Sequence, residues 1–371
     1  MAYVAVKGGN EAIERACDLF AYERMKGASN PLATNQIKDQ LYLAVDRIMG
    51  EGSLYAPDLA ALAFKQSAGD TFEASFMLRA FRATQERRGY SLPSDTGKMR
   101  IIRRISSAFK DIPGGQVLGA TSDYTLRLLD FELLNDDESR RKAFKERIFN
   151  DLPTGTDIPD TFPKVIAILR NEGLLDETVT EVNTDDRIFD ITRKSLTFPA
   201  SRSASLQAMA RGETGGMLAL AYSSMRGYGN IHPTLGELRV GYMPFTVAHP
   251  ETGEPYTVGE VKITEAEVLA RHQGSDGIPK FSLGYGICFG QNEIKAISMA
   301  VLDRSTRTEK PTCPAEDREF VLYHIDGIES MGFCNHWKLP HYVDFLSDLD
   351  RLRKTQNLAA GKNTGTDHAD E

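Results

Sequence analysis

Glu237-Leu-Arg-Val-Gly-Tyr-Met-Pro-Phe-Thr-Val-Ala248 and Tyr256-Thr-Val-Gly-Glu-Val-Lys-Ile-Thr-Glu-Ala-Glu-Val-Leu-Ala270 flank a turn-like segment, His249-Pro-Glu-Thr-Gly-Glu-Pro255. Two strand-like runs around a Pro/Gly-rich turn predict a β-hairpin. Downstream, Phe281 to Phe289 reads as a further apolar strand, interrupted by Gly284 and Gly286. A helix is predicted near 291–304, a strand over Phe320-Val-Leu-Tyr-His324, and a last amphipathic helix from Pro340 carrying Phe345, Leu349 and Leu352. Upstream the pattern is helical. Residues 217–226 read as a buried helix. In 36–50, Ile37, Leu41, Ala44, Val45 and Ile48 share one face at the 3.6-residue period, and Gly50 and Gly52 end the run. Residues 57–85 give one or two more helices, with Pro57 near a start and Gly69 as a break. A short strand at 3–6 and a helix from about Asn10, capped by its side chain, open the chain.

The expected fold class is α+β: a helix-rich N-terminal part, then a mixed or antiparallel sheet with flanking helices. We divide the chain into a helix-rich N-terminal domain with basic loops (1–134), a connecting region with one short helix near 163–175 (135–190), an α+β domain (191–355) and a disordered tail (356–371). Two domains also suit a length of 371 residues. The formal net charge of −8 argues against a general nucleic-acid binder, which must neutralise many phosphates. It leaves room for a local basic pocket. No apolar run approaches the roughly 20 residues that span a bilayer. The first residues lack a basic leader followed by an apolar stretch. Cys17, Cys288, Cys313 and Cys334 show no CxxC spacing. A cytoplasmic protein with reduced thiols is expected.

Residues 79–110 carry nine Lys/Arg against two acids inside this acidic chain. A solvated helix face accounts equally well for most of them. Four loops nevertheless repeat one theme, glycine or serine beside a cation. They are Lys7-Gly8-Gly9; Lys110-Asp-Ile-Pro-Gly114-Gly115; Ser201-Arg202-Ser203; and Arg226-Gly227-Tyr228-Gly229-Asn-Ile-His232. Backbone amides at glycine turns, helix N-termini and the planar arginine fork together suit phosphate. None matches GxxxxGK[ST] or GxGxxG, and no Ser-His-Asp order or nucleophile elbow is visible. Arg103 and Arg104 precede the second loop. Candidate acids near these loops are Asp111, Asp123, Asp130, Glu237 and Asp303. His336 and His341, with Cys334 just upstream, read either as structural histidines or as two ligands of a zinc ion.

Many blocks in order resemble the PhnI subunit family of the bacterial carbon–phosphorus lyase system. They include Tyr3-Val-Ala-Val-Lys-Gly-Gly9, Leu43-Ala-Val-Asp-Arg47, Arg103-Arg-Ile-Ser106 and Lys110-Asp-Ile-Pro-Gly-Gly-Gln116. Further blocks are Asp123-Tyr-Thr125, Arg127-Leu-Leu-Asp-Phe131, Ser201-Arg-Ser203, Leu218-Ala-Leu-Ala-Tyr-Ser223 and Arg226-Gly-Tyr-Gly229. Gly284-Tyr-Gly286, Phe320-Val-Leu322 and Lys338-Leu-Pro-His-Tyr-Val-Asp-Phe345 complete the set. The resemblance runs from residue 3 to about 352, with 135–190 excepted. It implies displacement of adenine from ATP by a phosphonate such as methylphosphonate, giving ribose 1-phosphonate 5-triphosphate. It also implies purine nucleosidase activity of the isolated chain. The implied partners are PhnG, PhnH and PhnJ, and a radical-SAM partner later cuts the carbon–phosphorus bond. Mg²⁺ would accompany the triphosphate. The resemblance further implies zinc on His336 and His341. The implied reaction needs an acid, for which Asp111, Asp123 and Glu237 are the candidates, and anion grips, for which the four loops with Arg103 and Arg104 are the candidates. A scaffold role, with the active site mainly on a neighbouring subunit, stands beside this reading.

Overall fold

The quoted hairpin forms as strands β2 (Thr234–Ala248) and β3 (Pro255–Gln273), between β1 (Arg100–Ile105) and β4 (Pro279–Phe289) in an antiparallel sheet of order β1-β2-β3-β4. At the turn Ala248 pairs with Pro255, and the His249 amide donates to Glu254 O at 2.8 Å. Gly253 closes it at φ 74°, a left-handed conformation that glycine adopts without cost. The computed structural model describes residues 8–151, 159, 162–176, 189–226, 232–274, 277–339 and 341–361. The expected strand at 3–6, Pro340 and most of the expected tail lie outside these residues.

Period-2 alternation sorts the sheet's side chains. Leu238, Ala266 and Gly286 are cross-strand neighbours on one face. That face packs under α8 (Arg202–Arg211), α9 (Thr214–Met225), α10 (Glu293–Ser305) and α11 (Arg318–His324). Met209, Met217, Met299, Leu302 and Val321 complete this core. The approach of α10 to β4 requires Gly284 and Gly286. A Cβ at Gly284 would overlap the Ala300 carbonyl oxygen, and one at Gly286 the Ala296 carbonyl oxygen.

The N-terminal helices build a second core. The run expected as one helix over 36–50 is two, α2 (Thr34–Gln40) and α3 (Tyr42–Gly52), separated at Leu41 with φ −110°, ψ 33°. Ile37, Val45 and Ile48 are buried as the period predicts, but the break turns Leu41 outward. Helices α4 (Pro57–Gln66) and α5 (Thr71–Ala83) flank Gly69, as expected. Asp70 caps α5 by accepting from the Phe72 and Glu73 amides at 2.9 and 3.2 Å. Ala60, Ala61, Ala74 and Leu78 fill the space between these helices.

The strand expected at 320–324 is a correction: these residues belong to α11. Asp317 caps that helix, accepting from the Phe320 amide at 3.0 Å, and Val321, Leu322 and Ile325 point into the core at helical spacing. In the connecting region, α6 (Glu138–Asp151) and α7 (Ile166–Asn171) form. The last helices are α12 (Gly327–His336) and α13 (Tyr342–Ala359), and the first is α1 (Gly9–Met25). By compactness the chain has two units, residues 33–327, which hold the sheet and both cores, and residues 1–32 with 328–371.

Candidate functional site

The sheet face opposite α10 is filled with charge. Arg104 and Arg239 oppose each other across β1 and β2, Arg239 opposes Glu265, and Glu237 opposes Glu267, which in turn opposes Tyr285. Charged side chains are stable here because segments from elsewhere supply partners. Arg104, 0% exposed, donates through Nε to Glu237. Its Nη1 donates to Pro113 O and Gly115 O at 2.6 and 3.0 Å, and its Nη2 to Pro163 O at 2.7 Å. The second oxygen of Glu237 accepts from the Val165 amide at 2.9 Å. Arg239 donates to Thr96 O and Phe162 O.

Glu265 Oε1 accepts three bonds, from Lys164 Nζ (2.7 Å), Thr96 Oγ1 (2.7 Å) and Tyr285 Oη (2.8 Å). Lys164 also reaches Glu267 Oε1 at 3.2 Å, while Glu267 Oε2 is buried without a partner. Burial pushes the Glu267 carboxyl up to about 7; Lys164 opposes this and the neighbouring Glu265 adds to it. Burial likewise pushes the Tyr285 hydroxyl up. Lys164 keeps its proton: burial works against the charge, but Glu265 and Glu267 outweigh it. The result is a carboxyl able to hold a proton near neutrality.

Tyr285 links this network to a cationic one. Its backbone amide donates to Asp303 Oδ2 at 2.9 Å. Arg202, the first residue of α8, grips Asp303 with both arms of its fork, at 3.0 and 2.7 Å. Arg307 Nη2 lies 3.9 Å from the same carboxylate, and Arg304 Nε bonds Ser282 Oγ at 3.1 Å. Burial pushes the Arg304 and Arg307 guanidiniums below their ordinary range. Half of the Arg202 side chain stays exposed. Arginines around one carboxylate can hold an anion, and on the opposite face of the sheet a buried glutamate can hold a proton near neutrality.

The sequence-derived candidates separate on this frame. Ser201 caps α8, its hydroxyl accepting from the Ala204 amide at 3.2 Å, and Ser203 is exposed on the first turn. Gly114 and Gly115 adopt φ 82° and 75°, but the loop turns its carbonyls, not its amides, onto a charged group, the Arg104 guanidinium. Lys110 and Asp111 are exposed beside it. Arg103, also on β1, is buried; it hydrogen-bonds Asp123 and Leu118 O, and its Nε forms an ion pair with Glu293 at 2.8 Å. Glu237 is committed through both oxygens. Gly8 and Gly9 start α1 with left-handed φ and are exposed. Arg226 ends α9 over the Tyr222 ring, and His232 is exposed. Lys7, Gly227, Tyr228 and Gly229 lie outside the described residues. Sequence reasoning missed Glu265, Glu267, Lys164 and Tyr285. The signal was Glu265 and Glu267 two apart in an apolar strand, which places both carboxylates on one buried face.

His336 and His341 come together, ring centroids 5.2 Å apart at 66°. Nδ1 of His336 meets Phe333 O, and Nδ1 of His341 meets Leu339 O at 2.5 Å. Carbonyls at both Nδ1 atoms favour the tautomer whose Nε2 lone pair is free for a metal. The pair thus fits two ligands of a zinc ion. Among the described residues no group of three or more His, Cys, Asp or Glu is placed to hold a metal. His324 meets Phe320 O through Nδ1 and stacks on the Phe320 ring.

Comparison with known proteins gives one consistent answer. Residues 2–359 match the family described as "Bacterial phosphonate metabolism protein (PhnI)". The chain is 53% identical to HtxH of Stutzerimonas stutzeri, a protein named as a C-P lyase subunit, over 98% of each chain. It is 44% identical to the "Alpha-D-ribose 1-methylphosphonate 5-triphosphate synthase subunit PhnI" of Rhizobium meliloti, over 100% of both chains. It is 45% identical to the protein of the same name in Escherichia coli, over 95% of this chain and 98% of that one.

Proposed function

Because the chain belongs to the PhnI family of bacterial phosphonate metabolism proteins, we propose that it is the subunit in which a phosphonate displaces the purine of a nucleoside triphosphate. ATP and methylphosphonate are the proposed substrates, and ribose 1-phosphonate 5-triphosphate is the product. The observation that carries this reading is the match, along nearly the whole chain, to two proteins named as synthase subunits for that product. The C1–N9 bond breaks, a phosphonate oxygen bonds to C1, and the purine leaves with the electron pair and takes up a proton. Charge at C1 develops as in glycoside cleavage.

The site chemistry supports these roles. We assign the proton to Glu267, whose buried, unpartnered Oε2 is its seat. Arg202, Arg304 and Arg307 offer the charge that grips an anion. The phosphonate arrives as an anion, so it needs no strong base. Mg²⁺ is proposed to travel with the triphosphate. His336 and His341 are proposed to hold zinc, with the other ligands drawn from outside this chain.

PhnG, PhnH and PhnJ are the proposed partners, in the cytoplasm. Among the described residues, no helix is long and apolar enough to cross a membrane. Leu126, Leu128, Leu129 and Leu134 stand 86, 78, 81 and 80% exposed, an apolar stretch that suits docking to other subunits.

The test is release of free purine from ATP or GTP by the purified chain alone, and by the chain with its partner subunits when methylphosphonate is supplied. No release in either preparation refutes the reading. One observation favours a scaffold role instead: Arg103 and Arg104 are consumed by internal partners. In that case Glu267→Gln leaves turnover of the assembled complex unchanged.

A further inference from the structure

Phe162-Pro163-Lys164-Val165 lies as a strap across the charged face of the sheet, and each of its four residues engages a buried charge. Phe162 O accepts from Arg239 Nη2 at 2.8 Å, and Pro163 O from Arg104 Nη2 at 2.7 Å. Lys164 Nζ reaches Glu265 at 2.7 Å and Glu267 at 3.2 Å. The Val165 amide donates to Glu237 Oε2 at 2.9 Å. The Arg104 guanidinium also lies over the Phe162 ring, 5.3 Å from its centroid. Beneath the strap, Glu237, Glu265 and Glu267 are 1, 1 and 5% exposed.

Two features set the strap apart from a segment of the core. Its hold on the sheet is polar. Phe162 and Val165 are buried, yet among the described residues neither joins an apolar cluster. Apolar anchoring begins with α7, where Ile166 and Leu169 pack with Leu175, Leu269, Phe281 and Leu283. Water can take over the strap's hydrogen bonds at modest net cost, whereas it cannot replace apolar contacts. The covered surface is also incompletely satisfied. Glu265 Oε2, Glu267 Oε2 and Arg239 Nε are buried without a hydrogen-bond partner. Arg239 comes no nearer than 3.6 Å to Glu237 Oε1 and 4.0 Å to Glu265 Oε2. Orphaned buried polar atoms are costly, and a ligand or water that reaches them relieves that cost.

We propose that residues 162–165 are a lid over the buried glutamates, closed in this structure, which lifts about α7 to admit a ligand and is latched by Lys164. The ligand is the purine of the nucleotide. That identity rests on the proposed function: an acid that protonates a leaving base must touch it, and Glu267 is out of reach while the strap is down. The lid itself does not rest on that reading. Lifting the strap breaks its bonds to Arg104, Arg239 and the three glutamates while α7 keeps its apolar contacts, so the opening is local.

The test is amide hydrogen exchange of the full chain, read residue by residue by NMR over a series of low urea concentrations. Val240 and Ala266, buried in the two central strands, report global unfolding. The Val165 amide should exchange through an opening of lower free energy and smaller urea dependence than theirs. Lys164→Met should speed Val165 exchange about tenfold or more relative to those two amides, the effect expected when a charge-assisted bond is lost. Labelling of Glu267 by a water-soluble carbodiimide with glycine amide, mapped by peptide mass spectrometry, should rise in step in that variant. Val165 exchange that matches Val240 and Ala266 in free energy and urea slope overturns the lid. So does faster Val165 exchange in Lys164→Met with no rise in Glu267 labelling, which is fraying without uncovering. If Lys164→Met does not fold, the wild-type exchange decides. Neither readout uses turnover, so a failed purine-release assay overturns the proposed function and leaves the lid standing.

Discussion

Arg104→Met is the most demanding test of the sheet's charged face. The substitution keeps volume and apolar stem but removes the guanidinium. Four hydrogen bonds vanish, one to Glu237 and three to the carbonyls of Pro113, Gly115 and Pro163. Glu237 is then left 1% exposed, with the Val165 amide as its remaining hydrogen-bond donor and Arg239 Nε 3.6 Å away. Removing one member of a buried pair costs about 3–5 kcal/mol, because the other charge stays uncompensated. For a chain of this size that corresponds to a fall of roughly 5–15 °C in Tm. Circular dichroism melts and urea titrations measure it. The double variant Arg104→Met/Glu237→Gln should lose less than the sum of the single losses, by about 1 kcal/mol or more, because the stranded charge is gone. A single variant melting within about 2 °C of wild type would refute the pairing argument.

Three further expectations can be checked together. The Glu267 carboxyl sits above its ordinary value in the folded state, so folding takes up a proton between about 4.5 and 7. Stability therefore falls as pH rises through that window, by on the order of 3 kcal/mol, and Glu267→Gln should flatten the slope in urea melts. If Glu267 is the acid, purine release by the wild type should also decline above about pH 7. Gly286→Ala places a methyl group against the Ala296 carbonyl and 2.9 Å from the Ala300 amide. Separating α10 from β4 should cost at least ~3 kcal/mol, seen as a lower urea midpoint or loss of soluble protein. Finally, Trp337 is the single tryptophan, its ring 4.9 Å from His336 and 5.7 Å from His341. Zinc titration should change its fluorescence, and His336→Ala/His341→Ala should abolish the change and the bound metal without lowering Tm.

The hairpin and the helices around Gly69 were legible because their signals are local: strand-like runs, a Pro/Gly turn, a proline at a helix start and a glycine break. The pairing of His336 with His341 is similarly local. The α11 helix was misread because Phe-Val-Leu-Tyr has the composition of a strand, while the decisive signals are the Asp317 cap and the spacing of Val321 and Ile325. β1 was hidden for a different reason. Arg100-Ile-Ile-Arg-Arg-Ile105 looks like a solvated basic stretch, and nothing within it reveals that Glu237 binds Arg104. Buried charges are specified by partners far along the chain, here Glu237, Pro163 and Gly115. The glycine loop at 114–115 was recognised as a site for charge, but the direction of its carbonyls, which fixes the sign of that charge, depends on three-dimensional placement.

The account's central claim is displacement at C1 by a phosphonate oxygen. The chain with its partner subunits should be given ATP and methylphosphonate labelled with ¹⁸O, and adenine and the ribosyl product followed by chromatography and mass spectrometry. The account predicts one adenine released per phosphonate consumed, with the label retained in the bond to C1. Adenine release that does not depend on methylphosphonate, with solvent oxygen at C1, would contradict it.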